Sequence, residues 1–138
     1  MTGNEEIRIV VYANPVPKGR PRVALRGKFP IVYTPKATRD AEDAFLSQAM
    51  KKRPEAPLEG PLSVSISFFK IKPKSYSKKI TLWTQKPDLD NLVKLVLDAL
   101  NKVFYVDDSQ IVEIKCGKEF TKYIPRTEVI IKKVSRGY

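Results

Sequence analysis

The sequence predicts an α+β domain: a single mixed β-sheet of about five strands with two helices on one face. Three observations predict it. Leu62-Ser63-Val64-Ser65-Ile66-Ser67-Phe68 alternates apolar and polar, the pattern of a strand with one buried side. Leu92, Leu95, Val96, Ala99, Leu100 and Val103 recur at helical spacing and form one continuous apolar face. Short β-branched runs stand at both ends of the chain. The resulting order is strand, strand, helix, strand, helix, strand, strand. A chain of 138 residues is expected to form one domain over 1–138, and it contains no repeat.

Ile7-Arg8-Ile9-Val10-Val11-Tyr12 is the first strand, broken by Asn14-Pro15-Val16-Pro17. Lys18-Gly19-Arg20-Pro21-Arg22 reads as a basic loop, because its prolines and glycine disfavour regular structure. Phe29-Pro30-Ile31-Val32-Tyr33 is a short second strand. Thr34-Pro35 has the form of an N-cap followed by proline at the first helical position. From there Ala37, Ala41, Ala44, Phe45 and Ala49 carry a helix to about Lys51. Three prolines make 52–61 a loop. The strand at 62–68 gives way to a long basic loop at 70–86. Asp90 caps the second helix. Strands at 110–120 and 127–134 close the domain, and 135–138 is expected to fray.

Charge narrows the partners. Formal net charge is +11, and the pI near 9.8 points to nucleic acid first and an anionic membrane second. No apolar run approaches the roughly 18 residues of a membrane span. The first residues are polar and acidic, unlike a signal peptide, so the cytoplasm is the expected compartment. The chain has no histidine, which removes Ser-His-Asp and Cys-His catalysis and His zinc ligands. The one cysteine, Cys116, cannot form an internal disulfide and reads as an inert strand residue. Acid–base chemistry is left to Asp, Glu, Lys, Tyr or metal-bound water.

Against that basic background, residues 86–108 hold five of the fifteen acids. Pro87 favours an extended chain before Asp88 and Asp90, which would then point the same way and converge on one divalent cation. Lys94 lies one helical turn beyond Asp90. Asp107 and Asp108 follow the helix, and a reversing chain can bring one of them back beside the pair. Three carboxylates and a lysine suit metal-assisted phosphodiester hydrolysis, with Mg²⁺ as the cofactor and Mn²⁺ as a substitute. Each acid also has a plainer reading. Asp90 can be only a cap, Asp98 can pair with Lys94 or Lys102 on a solvated face, and Asp107-Asp108 can be turn residues.

Two basic clusters flank these acids. Lys18, Arg20 and Arg22 lie in one loop; Lys74, Lys78, Lys79 and Lys86 lie in another that runs into Asp88. Such side chains hold phosphates. Tyr76 can stack on an unpaired base, and Trp83 can serve either as a stacking platform or in the core. A non-catalytic nucleic-acid-binding module gains nothing from carboxylates among its lysines. A general Mg²⁺ nuclease acting on flaps or single strands remains compatible with the same residues. Neither a small-molecule cofactor nor a membrane partner is indicated, and no heptad or apolar patch marks an interface.

The pattern Asp-x-Asp-Asn-x-x-Lys, Asp-Ala-Leu, Asp-Asp-x-Gln resembles that of RusA-type Holliday-junction resolvases, endodeoxyribonucleases of bacteria and their phages. It stands here as Asp88-Leu89-Asp90-Asn91-Leu92-Val93-Lys94, Asp98-Ala99-Leu100 and Asp107-Asp108-Ser109-Gln110. The likeness is strongest over 84–114 and extends to 15–22 and 33–36. It implies a homodimer whose two Mg²⁺-dependent sites nick opposed strands of four-way junction DNA in recombination and repair. The family's catalytic, metal-binding aspartates map onto Asp88, Asp90 and Asp108, and its catalytic lysine onto Lys94.

Overall fold

The computed structural model describes residues 6–135. The acidic N-terminus and most of the C-terminal stretch expected to fray lie outside them. The elements are β1 Glu6–Val11, β2 Arg22–Arg26, β3 Phe29–Tyr33, α1 Lys36–Ala49, β4 Leu62–Ile71, α2 Leu89–Leu100, β5 Ile111–Thr121 and β6 Arg126–Lys133.

Four strands form one mixed sheet in the order β1-β6-β4-β5. β4 and β6 are antiparallel, as are β1 and β6, whereas β4 and β5 are parallel. The parallel pair requires a crossover, and α2 supplies it. The alternation read at 62–68 appears directly: Leu62, Val64, Ile66 and Phe68 are buried and the serines between them are half-buried. Ile9, Val11, Val129 and Ile131 join the same covered side, against which α1 and α2 pack. On α2, Leu92, Val93, Leu95, Val96, Ala99 and Leu100 are buried. No helix among the described residues is long and apolar enough to cross a membrane.

The expected single sheet of about five strands is corrected in one respect. β2 and β3 form a separate two-stranded sheet. The segment read as an irregular basic loop therefore becomes a strand from Arg22 onward. Arg26 pairs with Phe29 across Gly27 and Lys28, and Gly27 takes φ +67°, the positive φ that a two-residue hairpin loop favours at its first position. All ten residues of the two strands are exposed. The mirrored Leu25-Arg26-Gly27-Lys28-Phe29 was the available signal for this hairpin.

Both helix starts shift by one or two residues. Pro35, not Thr34, occupies the N-cap of α1, and Asp88, not Asp90, that of α2. Asp90 instead lies in the first turn of α2, where a negative charge suits the helix dipole.

Candidate active site

The two ends of α2 organise the acids. At its start, the chain arrives through 72–88, a segment without helix or strand. This segment is not a free loop. Trp83 is 3% exposed and stacks on Phe120 of β5, with ring centroids 6.3 Å apart and planes 16° apart. Lys70 and Lys118 place their ammonium groups over its ring, at 4.7 and 5.0 Å. Trp83 thus belongs to the core and is not a base-stacking surface. Tyr76 meets the edge of Phe120 at 6.3 Å and is half-buried.

Lys118 then fixes the last residues before the helix. Its Nζ donates to the carbonyls of Gln85 and Pro87, both at 2.9 Å. Asp88 follows, extended, with its side chain exposed and making no capping bond. The Asp90 carboxylate accepts only from the N–H of Asn91, at 2.9 Å, among the described residues. Lys94 is exposed one turn on and has no ion-pair partner among the described residues. Asp88, Lys86, Pro87, Asn91 and Pro17 line an open cleft there. Asp88 and Asp90 are therefore close in the chain and both open, but Asp90 is helical, so the extended i, i+2 geometry expected from sequence does not apply.

The other end of α2 differs. A βαβ crossover carries the chain away from the C-terminal end of one strand and back to the N-terminal end of the next. Asp88 sits beside Lys118, near the end of β5, while Asp108 lies just before Ile111, which faces Leu62 at the start of β4. At ~3.3 Å per residue, the seven residues from 111 to 118 separate the two sites by about 23 Å. Among the described residues, no group of three or more potential ligands lies close enough to hold a metal. Within one chain, Asp108 does not come back beside Asp88 and Asp90.

Asp107 and Asp108 are adjacent but unlike. Asp107 caps a single 3₁₀ turn, Asp108–Gln110, in a reciprocal capping box. Its Oδ2 accepts from Ser109 N–H at 3.0 Å, its own N–H donates to Gln110 Oε1 at 2.8 Å, and Lys102 Nζ lies 3.0 Å from Oδ1. The bonds from Ser109, followed by Lys102, hold its pKa down at about 2. Gln110 also donates to the carbonyls of Leu58 and Gly60, each at 2.9 Å, tying the turn to the start of β4. Asp108 is exposed and has no ion-pair partner among the described residues. The Asp-x-x-Gln spacing was the sequence signal for this box.

Lys18 and Asp98 depart from expectation. Lys18 Nζ bonds Asp98 at 2.6 Å and Glu42 at 3.0 Å, joining α2 to α1, and its side chain is only 16% exposed. Burial opposes its charge, but hydrogen bonds and charge from Asp98 and Glu42 outweigh that and raise its pKa. Lys18 is therefore an internal brace, and Asp98 pairs with it and not with Lys94 or Lys102. The next residue, Gly19, donates its N–H to Thr38 Oγ1 at 3.0 Å, and a Cβ there would lie 2.5 Å from that oxygen. Of the expected phosphate-binding residues, Arg20, Arg22, Lys74, Lys78, Lys79 and Lys86 are exposed. Tyr105 is buried beside the second end of α2 and donates its hydroxyl to the Leu97 carbonyl; burial, then the charges of Asp108, Asp98 and Asp107, push its pKa up.

Comparison with known proteins adds a family. The model of the endodeoxyribonuclease RusA family matches residues 13–132. The uncharacterised protein YqaN of Bacillus subtilis (strain 168) is 37% identical over 139 aligned residues, covering 94% of this chain and 97% of its own length. A crossover junction endodeoxyribonuclease rusA of Lactococcus phage r1t is 43% identical over 77 residues, or 52% of this chain and 56% of that protein.

Proposed function

This chain belongs to the RusA endodeoxyribonuclease family, and from that premise we propose that it is a divalent-metal-dependent endonuclease that resolves four-way DNA junctions by paired nicks. It acts as a homodimer in recombination and repair, in the cytoplasm of a bacterial or phage-infected cell. The observation that carries this reading is the pair of open carboxylates, Asp88 and Asp90, in a chain of net charge +11. The likeness to a phage crossover junction endodeoxyribonuclease supports the substrate.

The donor set suits a hard cation. Carboxylate oxygens from Asp88 and Asp90, in a chain without histidine, fit Mg²⁺, or Mn²⁺ in its place. Mg²⁺ keeps several waters and needs few protein ligands. Asp108 is the third ligand in this reading. It lies past the far end of α2, too distant to serve Asp88 and Asp90 of its own chain, so the partner subunit's Asp108 supplies it. Asp107 is already engaged as a cap.

When bound, the cation offsets charge on the scissile phosphate and acidifies a water. Lys94, exposed one helical turn beyond Asp90, would stabilise charge growing on the phosphate oxygens or hold the attacking or leaving oxygen. Arg20, Arg22, Lys74, Lys78, Lys79 and Lys86 contact phosphates and position the DNA. A two-fold dimer matches the two-fold symmetry of a junction and places one site on each of two opposed strands.

Incubation with four-way, flap, linear duplex and single-stranded DNA, each with and without Mg²⁺, tests the proposal. Paired nicks confined to the junction and dependent on the cation are the expected result. Equal cleavage of flaps or single strands would make the protein a general nuclease. Junction binding without cleavage in Mg²⁺ or Mn²⁺ would overturn the catalytic reading.

A further inference from the structure

The β2–β3 ribbon is open on both faces, and its register assigns them. Val23 lies opposite Val32 and Leu25 opposite Pro30, so one face is wholly apolar. On the other, Arg22 lies opposite Tyr33 and Arg26 opposite Phe29, which sets two arginines beside two aromatic residues. Leu25 and Phe29 stand at the tip, one on each face, and each is 76% exposed. Val23 and Val32 are 65% and 69% exposed. A ribbon that served only the packing of the domain would turn one face inward. Contiguous open apolar surface of this kind marks a contact.

Charge and position say what the contact is. From Ile7 to Arg39 the sequence carries no acid, while Arg20, Arg22, Arg26 and Lys28 crowd the ribbon and its root. That is the charge of a surface made for a polyanion. The root is fixed beside the open carboxylates. Lys18 N–H donates to the Asn91 carbonyl, in the first turn of α2, at 2.9 Å, and Pro17 and Lys18 line the cleft that contains Asp88. The second leg runs from Tyr33 into α1, whose Thr38 holds the Gly19 N–H of the first. Both legs are therefore tied down, and five residues in each strand carry the tip about 17 Å from its root.

We propose that the β2–β3 ribbon is a DNA arm whose tip seats on exposed base faces near the scissile phosphodiester, with Leu25 and Phe29 against the bases and Arg22, Arg26 and Lys28 on the flanking phosphates. The inference rests on the DNA substrate read above and assigns how the protein distinguishes branched DNA from intact duplex. Apolar side chains set between bases are a recurrent way of holding distorted DNA. In an intact duplex the stack opposes such a tip. At a branch point stacking is already interrupted, and the cost of entry falls. Phosphate contacts carry no such discrimination, because linear and branched DNA present the same backbone. The apolar tip supplies it, and the arginines and Lys28 supply affinity.

Binding of the full chain to four-way and linear duplex DNA in EDTA tests the arm without using cleavage as a readout. Leu25→Ser/Phe29→Ser should lower the preference for the junction over the duplex by about ten-fold, with the slope of log K against log salt unchanged. Arg26→Ala/Lys28→Ala should do the opposite: a slope shallower by about 1–2 units on both DNAs, with the preference kept. Phe29→Trp should keep the preference, and junction DNA should quench its added emission, read against wild type, more than duplex does. Circular dichroism checks that each variant is folded, and the substituted side chains are all exposed. A wild-type protein without junction preference overturns the arm, as does an unchanged preference in folded Leu25→Ser/Phe29→Ser or an unquenched Phe29→Trp. Sedimentation that shows Leu25→Ser/Phe29→Ser in a smaller assembly than wild type would overturn it too, by making the apolar tip a protein contact. Arm effects in a protein that cuts no DNA in Mg²⁺ would leave the arm standing and remove the catalytic reading; a junction-cutting enzyme indifferent to the tip would do the reverse.

Discussion

The two ends of α2 treat their acids in opposite ways. At the far end, Asp98 is netted by Lys18, and Asp107 by Ser109, Lys102 and Gln110. At the near end, the protein grips only the backbone, through Lys118 on the Gln85 and Pro87 carbonyls, and leaves the carboxylates of Asp88 and Asp90 outward. Asp108 belongs by position to the far end and by its open carboxylate to the near one. Lysines are plentiful here, so a carboxylate without one is not short of available partners. On the function proposed above, the difference separates acids that hold the fold from acids kept for a ligand.

The strongest way to break this division is to neutralise each group in turn. Asp88→Asn, Asp90→Asn and Asp108→Asn should each reduce junction cleavage by about 10³-fold or more, with unfolding free energy changed by less than ~0.5 kcal/mol and junction binding kept. Asp107→Asn should instead lower the melting temperature. Gel assays of cleavage beside urea unfolding measure both, and a reversed pattern would exchange the roles of Asp107 and Asp108. Lys94→Ala comes next, with a cleavage rate lower by about 10²–10³ and little loss of affinity. Loss of rate and binding in equal proportion would make Lys94 a phosphate contact only.

Basic residues divide in the same manner. Lys18→Met leaves Asp98 and Glu42 without their cation and should cost roughly 2 kcal/mol of stability, with the salt dependence of DNA binding unchanged. The triple variant Lys74→Ala/Lys78→Ala/Lys79→Ala should behave oppositely: stable, with the slope of log K against log salt shallower by about 1–3 units. Lys118→Met is expected to cost about 1–3 kcal/mol through two unpaired carbonyls and to slow cleavage by releasing Asp88. Intact cleavage in that variant would show that the near end holds its shape without the clamp.

The smallest effect is one of pH. A carboxyl whose folded pKa lies below its unfolded value adds stability that is full above the unfolded pKa and is lost as pH falls through the folded one. Asp107, held at about 2, should contribute fully above about pH 4 and lose its contribution toward pH 2. Asp107→Asn should flatten the acid limb of melting temperature against pH over that window; an unchanged limb would mean that the cap does not hold the charge.

Periodicity made β4 and the buried face of α2 legible, because one-sided burial writes itself into spacing. The acids of the 86–108 stretch were legible as a cluster, because composition alone exposes carboxylates in a basic chain. The split between Asp88 and Asp108 was not, since it depends on β4 and β5 running parallel, and strand direction leaves no mark in residue spacing. Had that direction been known, the crossover would have required opposite ends. Lys18 was hidden for a different reason: an ammonium on Glu42 and an ammonium on phosphate have the same sequence, and only burial separates them. Trp83 was ambiguous because its chain neighbours are polar, whereas its real neighbour, Phe120, lies 37 residues away.

That tryptophan is the only one in the chain. It is enclosed four residues before the Pro87 carbonyl that Lys118 holds, between an aromatic ring and two ammonium groups. Its emission is therefore an intrinsic optical signal for the seating of the segment that delivers Asp88. An undocked segment would place the indole in water and shift its fluorescence to longer wavelength while the rest of the sheet stayed folded. Unlabelled protein can thus be followed in real time as DNA arrives, with the seating of the near end of α2 read separately from any cut in the strand.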